Sequence, residues 1–171
     1  DPAVKQNVLY ILANRYFKLN DIYEVRDQKV KYAKAVLTGA SKQAAIEAAE
    51  LEKDATLYRC HFEFPASLSL YINDKQIDAI KDGMTYNSLQ VQYESLVDMV
   101  PSLTEEEKKQ IYAWYKEARE FSMDAENSDK KHAAFNKYKG RINNYLTKRG
   151  YDLVKERNEW YKRLKAAGKK I

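Results

Sequence analysis

Glycine and proline are scarce in this sequence, and most of them stand where a helix would begin or end. The 171 residues include five Gly and three Pro. Because these two residues interrupt regular structure, their scarcity favours long helices joined by short turns. Apolar residues recur at spacings of three and four, as on a helix with one buried face. The sequence therefore predicts an all-α fold, a bundle of seven or eight helices with little or no strand.

The length of the chain predicts a single helical domain covering residues 1–171, since one globular domain commonly has this size. No run of 18 apolar residues occurs, so we expect a soluble protein without a transmembrane segment. A single cysteine, Cys60, excludes an internal disulfide. The first residue is Asp1 and not a methionine, which is typical of a processed or shortened chain.

Capping residues predict two antiparallel helices in the first 39 residues. Asp1-Pro2 is a favourable helix start, and the first helical pattern extends to about Leu19. Asn20-Asp21 can cap a second helix, and Gly39 is placed to end it in the left-handed conformation. We therefore expect a turn at Asn20-Asp21.

The rest of the chain divides in the same way. Asn73 and Thr104 each precede a Gln or Glu by three residues, which is the spacing of a capping box. Residues 89–93 alternate like a strand, but the spacing over the longer segment favours a helix. The expected elements are a helix from Gln43 to about His61, a short helix or turn at 68–72 after Pro65, and helices from Asn73 to Gly83, Ser88 to Val100, Thr104 to about Ala125, Phe135 to Gly150, and Asp152 onward.

Charge is distributed unevenly along the chain. Residues 1–129 carry 16 Lys and Arg against 22 Asp and Glu, a net charge of −6, whereas residues 130–171 carry 14 against 3, a net charge of +11. Such a basic block suits an acidic partner, whether nucleic acid, anionic glycan, phospholipid or the protein's own acidic part. Alternatively, it only solvates two helices.

The sequence contains no recognisable catalytic or metal-binding constellation. Its two histidines, His61 and His132, form no zinc-ligand spacing with Cys60. Cys60 and His61 are neighbours on a helix and point about 100° apart, so we expect a buried thiol and not a nucleophile with its base. We expect His61 to pack near the Pro65 bend and His132 to be exposed near a helix start. With no phosphate-binding glycine loop, we predict a protein that is not an enzyme and needs no metal or cofactor.

Fourteen tyrosines are the most unusual compositional feature, and the clearest aromatic cluster begins at Phe135. Tyrosine rings here alternate with basic and amide side chains, which suits stacking on sugars or bases. Gly140, inside the predicted helix, costs about 1 kcal/mol relative to Ala and indicates that a ligand or another helix comes close. The candidate ligand-binding residues of this cluster are Tyr138, Lys139, Arg141, Asn143, Asn144 and Tyr145.

A second candidate region is the polar loop of residues 81–87, which follows a helix end. Loops of this kind often bind ligands, although an ordinary glycine-terminated helix would give the same pattern. The candidate residues are Lys81, Thr85 and Tyr86.

Three segments together resemble an uncharacterised all-helical family, a domain of unknown function of gut Bacteroidetes. The segments are Lys81-Asp82-Gly83-Met84-Thr85-Tyr86, Ala118-Arg119-Glu120 with Met123-Asp124-Ala125, and the stretch from Phe135 to Asp152. Members of that family are exported, are described as sugar-binding, and are encoded near polysaccharide-use systems. It has no established catalytic residues, so none are transferred. The resemblance implies a periplasmic or cell-envelope location and a link to polysaccharide utilisation.

These observations rank four functions. The first is a non-enzymatic, exported protein that binds carbohydrate, with an anionic glycan suiting the basic block. The alternative is a helical envelope scaffold or chaperone-like module, weakened by the lack of a conspicuous apolar stripe for a protein partner. Nucleic acid is not expected because no helix-turn-helix signature occurs. An enzyme would need a carboxylate pair brought together by folding, which spacing does not reveal.

Overall fold

A computed structural model describes residues 1–169, and in that range the chain forms eight α-helices and no strand. The predicted all-α fold class is therefore confirmed. None of these helices is both long and apolar enough to cross a lipid bilayer. The helices are α1 Pro2–Val36, α2 Gly39–His61, α3 Glu63–Leu68, α4 Asp74–Met84, α5 Ser88–Met99, α6 Glu105–Met123, α7 Ser128–Lys148 and α8 Leu153–Ala166.

The chain divides into two compact units. The first unit is Asp1–Ala79 and contains α1, α2, α3 and the beginning of α4, and the second unit begins at Ile80. The expectation that the whole chain is one domain stays a prediction. Each unit has its own buried side chains and is described separately.

The first helix is continuous over 35 residues, so the predicted turn at Asn20-Asp21 is wrong. Leu19 and Ala33 are both buried and lie on the side of α1 that packs against α2. Because this packing face continues through Asn20-Asp21, tertiary contacts outweigh the capping tendency of two polar residues. Gly39 does adopt the left-handed conformation, with φ of 56°, but it begins α2 and does not end α1.

The inner face of α2 carries small and medium apolar residues. Ala49, Leu57 and the Cys60 thiol are buried, which confirms the predicted buried cysteine. Arg15 of α1 is also buried, and its Nη1 donates a hydrogen bond of 3.1 Å to the Cys60 carbonyl. The carbonyl therefore offsets part of the cost of burying a guanidinium.

The short helix or turn expected at 68–72 is a turn, in which the Tyr71 and Ile72 amides both donate to the Leu68 carbonyl. A helix that was not predicted precedes this turn. This helix, α3, spans Glu63–Leu68, with Pro65 in its first turn. Proline is tolerated there because the first amides of a helix lack an intrahelical acceptor. Pro65 therefore indicates the start of a helix and not a break in helical structure.

The side of α2 opposite its buried face exposes an apolar row. The row contradicts the expectation that no conspicuous stripe exists. Leu51 and Tyr58 are 68% and 70% exposed, and they are seven residues apart. We name this feature the α2 outer row, and its members are Ala44, Ala48, Leu51, Ala55, Tyr58 and Phe62.

The second unit packs around the pair formed by α6 and α7. Tyr115 of α6 and Phe135 of α7 are almost fully buried, with ring centroids 6.5 Å apart. α5 packs on α6, and α8 packs on both α5 and α7. The predicted helices of this unit are confirmed to within two residues at most ends, except that α7 starts at Ser128, seven residues before Phe135. The core cluster consists of Leu89, Leu96, Val100, Leu103, Ile111, Tyr115, Ala118, Phe135, Tyr138, Ile142 and Leu146.

Glu107 joins the start of α6 to the turn between α7 and α8. The capping box predicted at Thr104 is present, with its hydroxyl accepting from the Glu107 amide and the Glu107 carboxylate accepting from the Thr104 amide. The same carboxylate accepts from Arg149 Nε and from the Tyr151 hydroxyl, both at 2.6 Å. Burial raises the pKa of Glu107, but these hydrogen bonds outweigh burial and lower its pKa to about 2.

Glu107→Gln should destabilise the second unit by about 2 kcal/mol, because a neutral amide replaces an acceptor of several charge-assisted hydrogen bonds. Urea unfolding followed by circular dichroism measures the change. The matched control is Glu106→Gln, which removes an exposed charge from the same helical turn and should change stability by less than about 0.5 kcal/mol. Equal losses in both variants would assign the effect to the helix dipole instead.

Glu107 also predicts part of the acid sensitivity. The pKa of its carboxyl is about 2 in the folded chain against an ordinary value of 4.5. Between these values the unfolded chain takes up a proton that the folded chain does not. The stability from Glu107 is therefore complete above the ordinary pKa and is lost as pH falls toward the folded one. Stability measured between about pH 5 and pH 2 should fall less steeply in Glu107→Gln than in the original protein.

Candidate functional site

The two rings of the predicted Tyr138–Tyr145 cluster lie in helix packing. Tyr138 is 4% exposed, its ring is 6.3 Å from the Phe121 ring, and burial is the main cause that raises its pKa to about 12. Tyr145 is half-buried and meets Trp114 edge to face at 5.0 Å. These rings contact α6, so the structure does not present them as an aromatic groove.

Of the polar side chains of that cluster, one forms an ion pair and the others are exposed or half-buried. Arg141 lies over the Tyr138 ring, 4.7 Å from its centroid, and pairs with Glu117 at 3.4 Å. Lys139 and Asn144 are exposed, and Asn143 is half-buried. Gly140 is exposed, and a Cβ there would meet no atom within 4 Å, so the expected approach of another helix is wrong, while the approach of a ligand stays a prediction. Ligand binding by Lys139, Asn143 and Asn144 stays a prediction.

The second predicted region, by contrast, forms an unusual corner between α4 and α5. Gly83 was expected to end α4, but the helix continues to Met84. The chain then reverses at Tyr86 and Asn87, whose φ values are 58° and 53°. In residues 1–169 these are the non-glycine residues with positive φ. The left-handed conformation costs about 1–2 kcal/mol for a residue with a Cβ, so the surrounding contacts must hold the corner in place.

Backbone and hydroxyl hydrogen bonds provide part of that support. The Asn87 amide donates to the Asp82 carbonyl at 2.8 Å, and the Ser88 amide donates to the Thr85 carbonyl at 3.1 Å. Thr85 is buried, and its hydroxyl donates to the Lys81 carbonyl at 2.9 Å. Thr85 therefore closes the end of α4 and is not accessible to a ligand.

Two ion pairs attach α6 to the corner. Lys81 Nζ lies 2.9 Å from Glu120 Oε1, and Arg119 Nη1 lies 2.7 Å from Asp82 Oδ1. Arg119 is only 3% exposed. The segments Lys81–Tyr86 and Ala118–Glu120, which are far apart in sequence, thus meet at this corner. We call the assembly the Tyr86 corner and define it as residues 81–88 with Arg119, Glu120, Lys131 and His132.

The start of α7 completes the corner with Lys131, a lysine that is only 8% exposed. Its Nζ donates to the Met84 carbonyl at 2.8 Å and lies 5.8 Å from the centroid of the Tyr86 ring. Burial lowers the pKa of Lys131, and the nearby Tyr86 opposes part of that change. Lys131 therefore links the start of α7 to the last residue of α4.

The Tyr86 ring is the accessible part of the corner. It is 53% exposed and stacks on the His132 ring at 5.2 Å with an interplanar angle of 21°. His132 is exposed near the start of α7, as predicted. Its contact with Tyr86 is not predicted by the sequence. Backbone, stacking and the neighbouring charge together hold one aromatic ring at the surface in a fixed orientation.

Chemically, the corner offers a half-exposed aromatic ring bordered by polar groups. A fixed ring binds the flat apolar face of a ligand at low entropic cost, and the surrounding ammonium, carboxylate and amide groups can bond its polar edge. In the described part of the chain, no group of three His, Cys, Asp or Glu side chains is arranged to hold a metal ion. Sequence reasoning identified Lys81 and Tyr86 but missed Arg119, Lys131 and His132 as their neighbours, because only folding brings these segments together.

Comparison with protein families gives a match over almost the whole chain. Residues 1–166 match the family described as Protein of unknown function (DUF3826). A search of curated proteins found no match to the chain. The family match extends over both units.

The open surroundings of Gly140 predict that Gly140→Ala raises stability by about 0.5–1 kcal/mol, because alanine loses less backbone entropy in a helix. Thermal or urea unfolding measures this gain. Gly150→Ala is the matched control and should lower stability, since Gly150 has a φ of 94° that disfavours a Cβ. A loss of stability in Gly140→Ala would contradict the open environment described for this residue.

Proposed function

This chain belongs to the family Protein of unknown function (DUF3826), and we propose that it is a carbohydrate-binding protein without catalytic activity whose ligand rests on the Tyr86 corner. The observation that carries the proposal is the half-exposed Tyr86 ring, held by left-handed backbone and by stacking on His132. Sugar rings have apolar faces and hydroxyl edges, which match a fixed aromatic ring bordered by polar groups.

The charge of the corner favours an acidic sugar over a neutral one. Lys81 and Arg119 are neutralised by Glu120 and Asp82, so the excess charge of the corner comes from Lys131. Residues 130–171 as a whole carry a net charge of +11. A uronate carboxylate approaching Tyr86 meets a positive field from this part of the chain. The exposed Lys139 and Asn144 of α7 add hydrogen-bond donors for a longer glycan.

We propose further that the protein is exported to the periplasm or cell envelope and takes part in polysaccharide utilisation in Bacteroidetes. This part rests on the resemblance of the Lys81–Tyr86, Ala118–Glu120 and Phe135–Asp152 segments. Fractionation of cells producing the full-length protein tests the location. Recovery in the cytoplasmic fraction would contradict export.

The alternative function, a helical envelope scaffold or chaperone-like module, draws on a different observation. The α2 outer row is an exposed apolar surface of the kind that binds other helices. This alternative stays a prediction, because a row of this kind can also be occupied by a second copy of the same chain.

Calorimetric titration with a panel of neutral and uronate-rich oligosaccharides tests carbohydrate binding. At least one uronate-rich member should bind with a dissociation constant below about 1 mM. Tyr86→Ala should weaken that binding at least about tenfold, which corresponds to the loss of one aromatic stacking contact. Tyr86→Phe keeps the ring and should retain most of the affinity.

The matched control is Tyr32→Ala, which removes a tyrosine of α1 that is also more than half exposed. Its affinity should equal that of the original protein. Circular dichroism confirms that each variant is folded. Binding that is lost in Lys139→Ala but kept in Tyr86→Ala would move the site to the exposed side of α7. If no sugar of the panel binds with a dissociation constant below about 1 mM, the proposal is rejected.

A further inference from the structure

The α2 outer row has the spacing of a helix–helix interface. Its six members follow one another at intervals of 4, 3, 4, 3 and 4 residues, from Ala44 to Phe62. Apolar residues at these intervals form the seam of a two-helix coiled coil. The row extends over 18 residues, or about 27 Å of helix. Phe62 follows α2 but keeps right-handed helical φ and ψ, so it stays in line with the row.

The row is exposed along its whole length. Leu51, Tyr58 and Phe62 are 68%, 70% and 59% exposed, and the alanines between them are also exposed. Tyr58 and Phe62 contact each other edge to face, with ring centroids 5.6 Å apart. The inner face of α2 is already used against α1. The outer row is therefore a second apolar face on a helix that needs only one to fold into its unit.

We propose that the α2 outer row docks, in antiparallel orientation, on the same row of a second copy of this chain. The half of the row nearer the start of α2 carries the small residues Ala44 and Ala48, and the other half carries the large residues Tyr58 and Phe62. An antiparallel pair centred near residue 53 sets Ala44 opposite Phe62 and Ala48 opposite Tyr58. Every large side chain then faces a small one.

The central layer follows the same rule, since Leu51 of one copy faces Ala55 of the other. A parallel pair would instead crowd Tyr58 and Phe62 of both copies at one end and leave a gap between alanines at the other. Close packing without voids therefore selects the antiparallel pair. Such a pair has a twofold axis, as most homodimers do.

Polar side chains beside the row agree with this orientation. Glu47 lies on one flank near the start of the row, and His61 lies on the same flank near its end. In the antiparallel pair, Glu47 of each copy comes near His61 of the second copy, so that the carboxylate can accept a hydrogen bond from the imidazole. Two acidic residues, Glu52 and Asp54, lie beside the twofold axis, but each is already ion-paired within its own chain, with Lys29 and Lys53.

Sedimentation equilibrium of the full chain over a range of concentrations tests the proposal. The original protein should approach twice the monomer mass at concentrations near about 100 µM. Leu51→Lys should raise the dimer dissociation constant at least about tenfold. Tyr58→Glu provides a second variant of the row with the same expectation. Both side chains are exposed, so the helical circular dichroism signal should be unchanged.

The matched control is Leu70→Lys, which places a charge on an equally exposed leucine outside the row. This variant should dimerise like the original protein. A monomer at all concentrations, or a dimer that persists in Leu51→Lys, would overturn the proposal. In the first case, a protein partner captured through the row would support the scaffold function instead.

A spin label tests the orientation separately. The label is placed at Ser41→Cys in a chain whose buried Cys60 is replaced by Ala. The antiparallel pair separates the two labels by about 36 Å along the helices, whereas a parallel pair brings them within about 10 Å plus the length of the label arms. A short distance would overturn the antiparallel arrangement. Sugar binding at the Tyr86 corner does not enter this measurement, so the two proposals fail independently.

Discussion

The carboxylate of Glu107 is the interaction on which the arrangement of the second unit depends. It accepts a hydrogen bond from the Thr104 amide at the start of α6. It also accepts hydrogen bonds from Arg149 and Tyr151, which lie in the turn between α7 and α8. A buried carboxylate is costly unless its lone pairs are satisfied, and here several donors converge on it. The start of α6 and the end of α7 are thereby fixed to each other at one end of the helix pair.

At the other end of the same helix pair, charge is used differently. Arg119 and Lys131 are buried near the end of α6 and the start of α7, and they bind groups at the end of α4. These contacts hold Tyr86 in a backbone conformation that it would not adopt alone. The α6–α7 pair thus has the buried acid Glu107 at one end and the buried bases Arg119 and Lys131 at the other. The basic end presents the exposed Tyr86 ring.

Features that depend on residues close together in sequence can be predicted from the sequence, whereas features that depend on distant contacts cannot. The caps at Asn73 and Thr104 join residues three positions apart, so their pattern is visible in the sequence and both are present. Asn20-Asp21 carries an equally good local signal, but the packing of α1 on α2 decides against it. The loop pattern indicates Lys81 and Tyr86 as site residues, whereas Lys131 and His132 join them from 45 to 51 positions further along the chain. No local pattern contains that information.

The same limit explains the tyrosines. Composition predicts that many are half-buried, but whether a ring faces a neighbour or solvent depends on the partner helix. Tyr138 and Tyr145 turn toward α6, while Tyr86 is held outward by a turn that no glycine marks. The sequence indicates a loop at residues 81–87, but without glycine at position 86 it does not indicate that Tyr86 is left-handed.

At the Tyr86-Asn87 turn, the left-handed backbone carries a conformational cost, and the same backbone places the Tyr86 ring at the surface. Asparagine tolerates the left-handed region better than most residues, and glycine tolerates it best. A library of variants sorted only for heat resistance should therefore accumulate glycine at this reversal, and glycine at position 86 would remove the ring itself. The reversal is thus a place where laboratory evolution for stability would erase a surface feature without disturbing a single core residue.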